Sequence, residues 1–370
     1  MFKILFIGDP HFKKDNGNET ALMTQQMYNI ITSENPNVIV ILGDLMHYHE
    51  KSYTPQHVNS YRFIDILHTY MPIGSILIIL IGNHDRMNNK VFMNDEHVFN
   101  PYKKWPNTYI IDTITPINIK FNEKEFKILA VPYVETGRFT EALTSKGYAN
   151  FSEKLKTIYG TKNFKMSEYL NEITYNLKDI NLVLCHQEFL KCKMNSIESA
   201  EGDFYPIDLP MCVSGHIHDE DELQPNLYYP GTPIQHSYGD SKDKCLSIFI
   251  YDENFKMIKN RRLALDIPKK LQFTMTPQEL LSFVPPPNSN IKIKLKGNAQ
   301  ENADIMKLDY VVELLRKGII ITSSETAHQL SQISLPQKDA KINIPYNQRL
   351  IQYINTQSPE LQNIFKSISN

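Results

Sequence analysis

Long apolar runs are missing from this 370-residue sequence. The longest, Ile76 to Ile81, falls far short of the roughly 20 residues that cross a bilayer as a helix. The N-terminal MFKILFIGDP is too brief in its apolar part for a signal-peptide core. The expectation is a soluble intracellular protein with no membrane association. An excess of charge is missing as well. Lys and Arg number 39 against 41 Asp and Glu, for a formal net charge of -2. That balance removes any global basic field, so contact with nucleic acid would have to come from local clusters. Cysteine is scarce, and Cys185, Cys192, Cys212 and Cys245 show no CxxC spacing, so all four read as reduced structural residues. Internal repeats and low-complexity tracts are absent. With 41% hydrophobic and 22% charged residues, neither a disordered nor a fibrous chain is indicated. At this length one large domain with a smaller appendage is expected.

What is present is one device used five times. A short run rich in Ile, Val, Leu or Phe ends, usually through a glycine, at residues that can ligate a metal. The runs are FKILFIG before Asp9, NVIVILG before Asp44, SILIILIG before Asn83, INLVLC before His186 and MCVSG before His216. Continuous apolar runs of this length, bounded by turn residues, read as strands buried on both faces. Between them, ALMTQQMYNIITSENP and HVNSYRFIDILHTYMP are apolar at roughly helical spacing, each with a proline just past its end. The alternation predicts a sheet with helices outside it. In such sheets the ligand crevice lies beyond the carboxyl ends of the strands, where all five polar clusters fall.

Farther along, Thr136 to Lys178 reads as amphipathic helical covering structure without a cluster of chemical interest. NLYYPG, CLSIFIYDE and FKMIKNRRLAL read as successive strands completing a second sheet. A proline triplet in LLSFVPPPNSN then marks a change of pattern. IKIKLKG alternates like a half-exposed strand, DIMKLDYVVELLRKG like one amphipathic helix and IIITSS like another strand. The expected divisions are a core domain over 1–267, a small α+β domain over 268–340 and a helical tail over 341–370 suited to a partner.

Asp9 and His11 in GDPH, Asp44 in GDLMH, Asn83 and His84 in GNHD, His186 in CHQE, and His216 and His218 in GHIH offer oxygen and imidazole donors without thiolate. Such a set suits two divalent ions, manganese first, with magnesium, iron or zinc as alternatives. Burying so many polar groups costs roughly 2–7 kcal/mol apiece unless they are paired or bound to metal. Asp44 is expected to bridge both ions, because one carboxylate can lend an oxygen to each. Asp9, His11 and His218 would complete one site, and Asn83, His186 and His216 the other. Two ions about 3.5–4 Å apart lower the pKa of a shared water and stabilise an in-line displacement at phosphorus. His84, not needed as a ligand, would serve the leaving oxygen as general acid or hydrogen-bond donor, with Asp85 orienting it.

DxH, GD, GNHD, H and GHxH, in this order over about residues 1 to 265, resemble the calcineurin-like metallophosphoesterase superfamily. That resemblance implies a four-layer αββα sandwich, usually with manganese. GDLMH is similar to the GDLFH of SbcD-type DNA repair nucleases, with Met46 in place of their phenylalanine. It implies that His47 helps place the DNA strand. YYPGTPIQHSYGD resembles the strand and acidic turn after GHxH in those nucleases, and the small C-terminal domain lies where their DNA-capping domain does. Further DNA-backbone candidates are Lys13, Lys14, Lys191, Lys193 and His49, with His236 and Tyr238 as structural or groove residues. The resulting expectation is a DNA exo- or endonuclease of repair or recombination, paired with an SMC-like ATPase through its tail and open to homodimerisation. A phosphodiesterase or phosphatase for small nucleotides is the alternative enzyme. A non-catalytic scaffold on the same fold is the alternative from another class.

Overall fold

In a computed structural model, residues 1–48, 54–86, 97–133, 177–194, 197–200 and 202–325 are described. The covering segment expected over Thr136 to Lys178 lies almost wholly outside them, as do His49 and the tail over 341–370.

The first three apolar runs form β1 (Phe2–Ile7), β2 (Val38–Ile41) and β3 (Ile76–Leu80), joined in parallel through helices α1 (Gly17–Glu34) and α2 (Thr54–Tyr70). Helix α1 stops where Asn35 turns left-handed and donates its N–H to Ile31, and Pro36 bars any continuation. Strand β4 (Thr108–Ile111) extends this sheet beyond β3. A hairpin of β5 (Thr115–Phe121) and β6 (Lys124–Val131) then starts the second sheet. Its two turn residues, Asn122 and Glu123, both have positive φ, the geometry of a type I′ turn. The fourth and fifth apolar runs become β7 (Leu182–His186) and, after a small hairpin of β8 (Lys193–Met194) and β9 (Ile197–Glu198), β10 (Met211–Gly215). Strands β11 (Asp221–Gln224) and β12 (Leu227–Tyr229) finish that sheet, whose order is β11-β12-β10-β7-β6-β5.

Strands β13 (Cys245–Tyr251) and β14 (Met257–Ala264) correct the sequence reading. Both exist, but they leave the second sheet and return to the first, giving β14-β13-β1-β2-β3-β4. The reason is visible in β13, which is buried along nearly its whole length. Such a strand must lie inside a sandwich, and the unpaired side of β1 accepts it in antiparallel register.

Period-two alternation sorts the core. Leu5, Ile7, Ile39 and Ile41 pack outward on Met23, Met27, Phe63 and Leu67 of the two helices. Ile4, Phe6, Val38 and Val40 face inward on Ile128, Leu184 and Val213 of the second sheet. Each such side chain contributes about 1.5–3 kcal/mol on full burial. The layers are therefore helices, sheet and sheet. Beyond the second sheet, Val183, Cys185 and Cys212 pack on Phe189 and Tyr205.

The C-terminal part is built from β15 (Lys269–Met275), β16 (Ser289–Gly297) and β17 (Ile320–Glu325), all parallel. One face packs on α3 (Pro277–Leu281), α4 (Ala299–Ile305) and α5 (Asp309–Arg316). Capping boxes, Thr276 with Glu279 and Asn298 with Glu301, start the first two of these helices. The single helix expected over DIMKLDYVVELLRKG is two, because Leu308 is extended and α5 begins afresh at Asp309.

Candidate metal centre

The carboxyl ends of β1, β2, β3, β7 and β10 bring the polar clusters together. Asp9, His11 and His218 form one group whose ligand atoms all lie within 4.8 Å of one another, and Asp44, His186 and His216 form a second. Asn83 belongs with the second, its Oδ1 lying 3.0 Å from His186 Nε2 and 3.2 Å from His216 Nδ1. Asp44 Oδ2 stands between the groups, 3.4 Å from His186 Nε2 and 3.7 Å from His11 Nε2.

The backbone is bent to achieve this. His11, Asp44 and His216 have φ of 46°, 48° and 83°, a left-handed region that non-glycine residues seldom occupy and that costs about 1–3 kcal/mol each. Asn16 braces the first of these corners, its amide donating to the His11 carbonyl at 2.8 Å while its Oδ1 accepts from Lys13 N at 3.0 Å. Glycine precedes Asn83 for a steric reason: a Cβ on Gly82 would collide with the Asp44 carboxylate and backbone nitrogen.

Hydrogen bonds behind the ligands choose their tautomers. His186 Nδ1 donates to the Leu42 carbonyl at 2.7 Å, and His11 Nδ1 to the Met46 carbonyl at 3.3 Å, since a carbonyl can only accept. The Nε2 atoms are thereby turned toward the cluster, and His11 Nε2 meets His218 Nε2 at 3.1 Å. So many convergent lone pairs need either protons or cations among them. Burial opposes a charge on His186, yet Asp44 and Asp9 hold it up at about 10. Burial, with Asp44 adding to it, pushes Asp9 up to about 7 against the pull of His186. Burial keeps His11 below its ordinary range and takes His216 down to about 4. A largely buried set of carboxylates and imidazoles, with two of its tautomers fixed from behind, fits a pair of divalent ions, whose binding would take the place of the proton on His186.

His84 lies beside these groups. Its backbone N–H donates to Asp44 Oδ1 at 2.8 Å, its Nδ1 to the His47 carbonyl at 2.7 Å, and its ring lies nearly parallel to that of His47. Asp85 works differently from the sequence reading. Its two oxygens accept from Met46 N at 2.9 Å and Gly82 N at 3.0 Å, so it ties two ligand loops together, while the His47 carbonyl orients the His84 ring.

A model of the calcineurin-like phosphoesterase family matches residues 2–220, a span that holds every residue of both groups. The chain is a calcineurin-like phosphoesterase. As such it is a metal-dependent hydrolase of phosphate esters. This phosphoesterase is 37% identical over 305 residues to a protein of Invertebrate iridescent virus 6 provisionally named phosphoesterase 244L, covering 80% of this chain and 95% of the viral one. It is 31% identical over 323 residues to the similarly named 078R of Invertebrate iridescent virus 3, covering 86% and 83%. Among solved structures, that of GAP50, the anchor in the inner membrane complex of Plasmodium, aligns over 73% of this chain and 90% of its own, at 11% identity and a TM-score of 0.38. No helix among the described residues of the phosphoesterase is long and apolar enough to cross a membrane.

The expected substrate residues are dispersed. Lys13 lines a cavity beside the first group, its Nζ on the His236 carbonyl at 3.0 Å. Lys14 is exposed next to it. Lys191 and Lys193 are exposed near the small β8–β9 hairpin, where Lys193 lies in the field of Asp221. Tyr133 was not among the candidates, yet its ring stacks on that of His216 with centroids 6.0 Å apart. Its signal was a sixth apolar run, FKILAVPY, ending at a polar residue like the other five.

Proposed function

We propose that this phosphoesterase is a nuclease that hydrolyses phosphodiester bonds of DNA, at ends or internally, with two divalent ions, manganese first among them. The observation that carries the reading is the position of Asp44 Oδ2 between the two ligand groups, with His84 held to the other oxygen of the same carboxylate. In this reading Asp9, His11 and His218 hold one ion, Asn83, His186 and His216 the other, and Asp44 both. Bound there, the pair would polarise phosphoryl oxygens and lower the pKa of a water. His84, its Nδ1–H committed to the His47 carbonyl, would carry a proton toward the leaving oxygen through Nε2. The His47 ring, parallel to it, would position the strand in this reading.

Residues 268–340 are proposed as a cap over the substrate, and 341–370 as the segment that docks an SMC-like ATPase. GDLMH and the cap-like position of the C-terminal sheet support the DNA reading over a small-nucleotide one. The test is a matrix of metals against a duplex DNA end, single-stranded DNA and a small phosphodiester, with Asp44→Ala as control. Manganese-dependent DNA cleavage that Asp44→Ala abolishes is expected. Turnover of the small diester with none of DNA selects the nucleotide enzyme, and failure to bind any transition metal selects a scaffold.

A further inference from the structure

The C-terminal sheet has one face packed on helices and another face of different composition. In register, the second face carries Lys270 beside Asn290, then Gln272 beside Lys292, then Thr274 beside Lys294. Its lower end forms one wall of a cavity of about 900 Å³, whose other wall includes Lys13, Glu19, His236 and Tyr238. That wall reaches the metal centre: the His236 ring lies 4.9 Å from the ring of His11 and 5.4 Å from that of His218.

The lysines carried by these strand pairs divide into two kinds, and of them Lys270 and Lys292 line the cavity. Lys270 is spent, with Glu19 at 3.0 Å and the Gln235 carbonyl at 2.9 Å. Lys292 and Lys294 have no carboxylate within ion-pair distance among the described residues. Lys292 Nζ lies 6.0 Å from the centre of the Tyr238 ring. Alternate residues of a strand are about 6.6 Å apart, a step commensurate with successive phosphates of an extended polynucleotide. A mononucleotide seated at the metals has no use for cations placed one above another up a sheet. A strand does, and Tyr238 offers its bases an aromatic surface.

We propose that Lys292 and Lys294, with Tyr238 at their foot, form a track for the sugar-phosphate backbone of a single nucleic-acid strand, leading away from the scissile phosphate. The track rests on the phosphoesterase site read above and names the substrate as a polynucleotide several residues long. It adds affinity for length and leaves the chemistry at the metals untouched.

The experiment compares the full chain with Lys292→Ala/Lys294→Ala and with Lys294→Glu, all manganese-loaded. Turnover of bis(p-nitrophenyl) phosphate reports on fold and metal site and is expected to be unchanged in both variants. Binding of single-stranded oligonucleotides of two to twelve residues is measured in a His84→Ala background, where the strand stays intact. The parent is expected to gain affinity with length, and the double variant to lose most of that gain. The salt slope of its binding should fall by roughly 1.4, or about 0.7 for each phosphate contact removed. Equal length dependence and equal slope in parent and double variant overturn the track. So does an unchanged oligonucleotide affinity accompanied by loss of binding to polyglutamate or anionic vesicles. Absence of any phosphodiester turnover by the parent would instead remove the reading of the metal site itself, so the two failures are distinguishable.

Discussion

The ring of His84 is oriented by the backbone carbonyl of His47, 2.7 Å from Nδ1, and not by the His47 side chain. Replacing the two histidines should therefore have separable effects. His84→Ala is expected to lower kcat on any phosphodiester by roughly 10²–10⁴-fold with bound metal unchanged. His47→Ala keeps the carbonyl and is expected to spare turnover of a small diester while raising KM for DNA. Elemental analysis alongside steady-state kinetics on both substrates decides this, and equal losses in both variants would refute it.

Gly82 and Gly74 make a matched pair. A methyl at Gly82 meets the Asp44 carboxylate, whereas one at Gly74, where φ is +84°, meets nothing within 4 Å. Gly74→Ala should cost only the left-handed strain of about 1–2 kcal/mol and keep full metal content. Gly82→Ala should lose stoichiometric metal. Thermal melts and metal analysis of the two variants provide the check.

Ion removal should show in stability as well as activity, since carboxylates and imidazoles this crowded are stabilised by a cation. Saturation at about 100 times Kd contributes roughly 2.7 kcal/mol per site. Chelation is expected to lower Tm, and manganese to restore it. Asp44→Asn should shrink that difference, because both groups share its carboxylate.

Asp203 provides a pH prediction outside the ligand set. Burial pushes its carboxyl up to about 7, against the side-chain hydrogen bond of Gln187. The folded chain then holds this proton between pH 3.8 and about 7 while the unfolded chain releases it. Stability from this group is complete below about pH 3.8, falls as pH rises to 7 and is level beyond. Asp203→Asn should melt higher than the parent at pH 8 and converge with it near pH 4.

The clustering of the donor residues was legible in the sequence because they follow the ends of buried strands, and a carboxylate or imidazole in such a place has few structural uses. The β5–β6 hairpin was not, since its turn is Asn122-Glu123 and not the Asn-Gly that announces a type I′ turn. The sheet assignment of β13 was hidden for another reason: burial on both faces says that a strand is internal without saying which sheet takes it. The position of Asp85 between Met46 N and Gly82 N is a tertiary fact with no trace in spacing, and the same holds for His236 beside His11.

Strand β1, which begins the chain and delivers Asp9, is flanked on its outer side by β13, from Phe2 opposite Tyr251 to Phe6 opposite Ser247. Yet the span matched by the family stops at residue 220. A fragment cut to that span would keep every ligand and still bare the N–H and C=O groups along one flank of its innermost strand, an invitation to self-association. The smallest piece able to hold the centre in shape must run at least to Ala264, where β14 seals the margin.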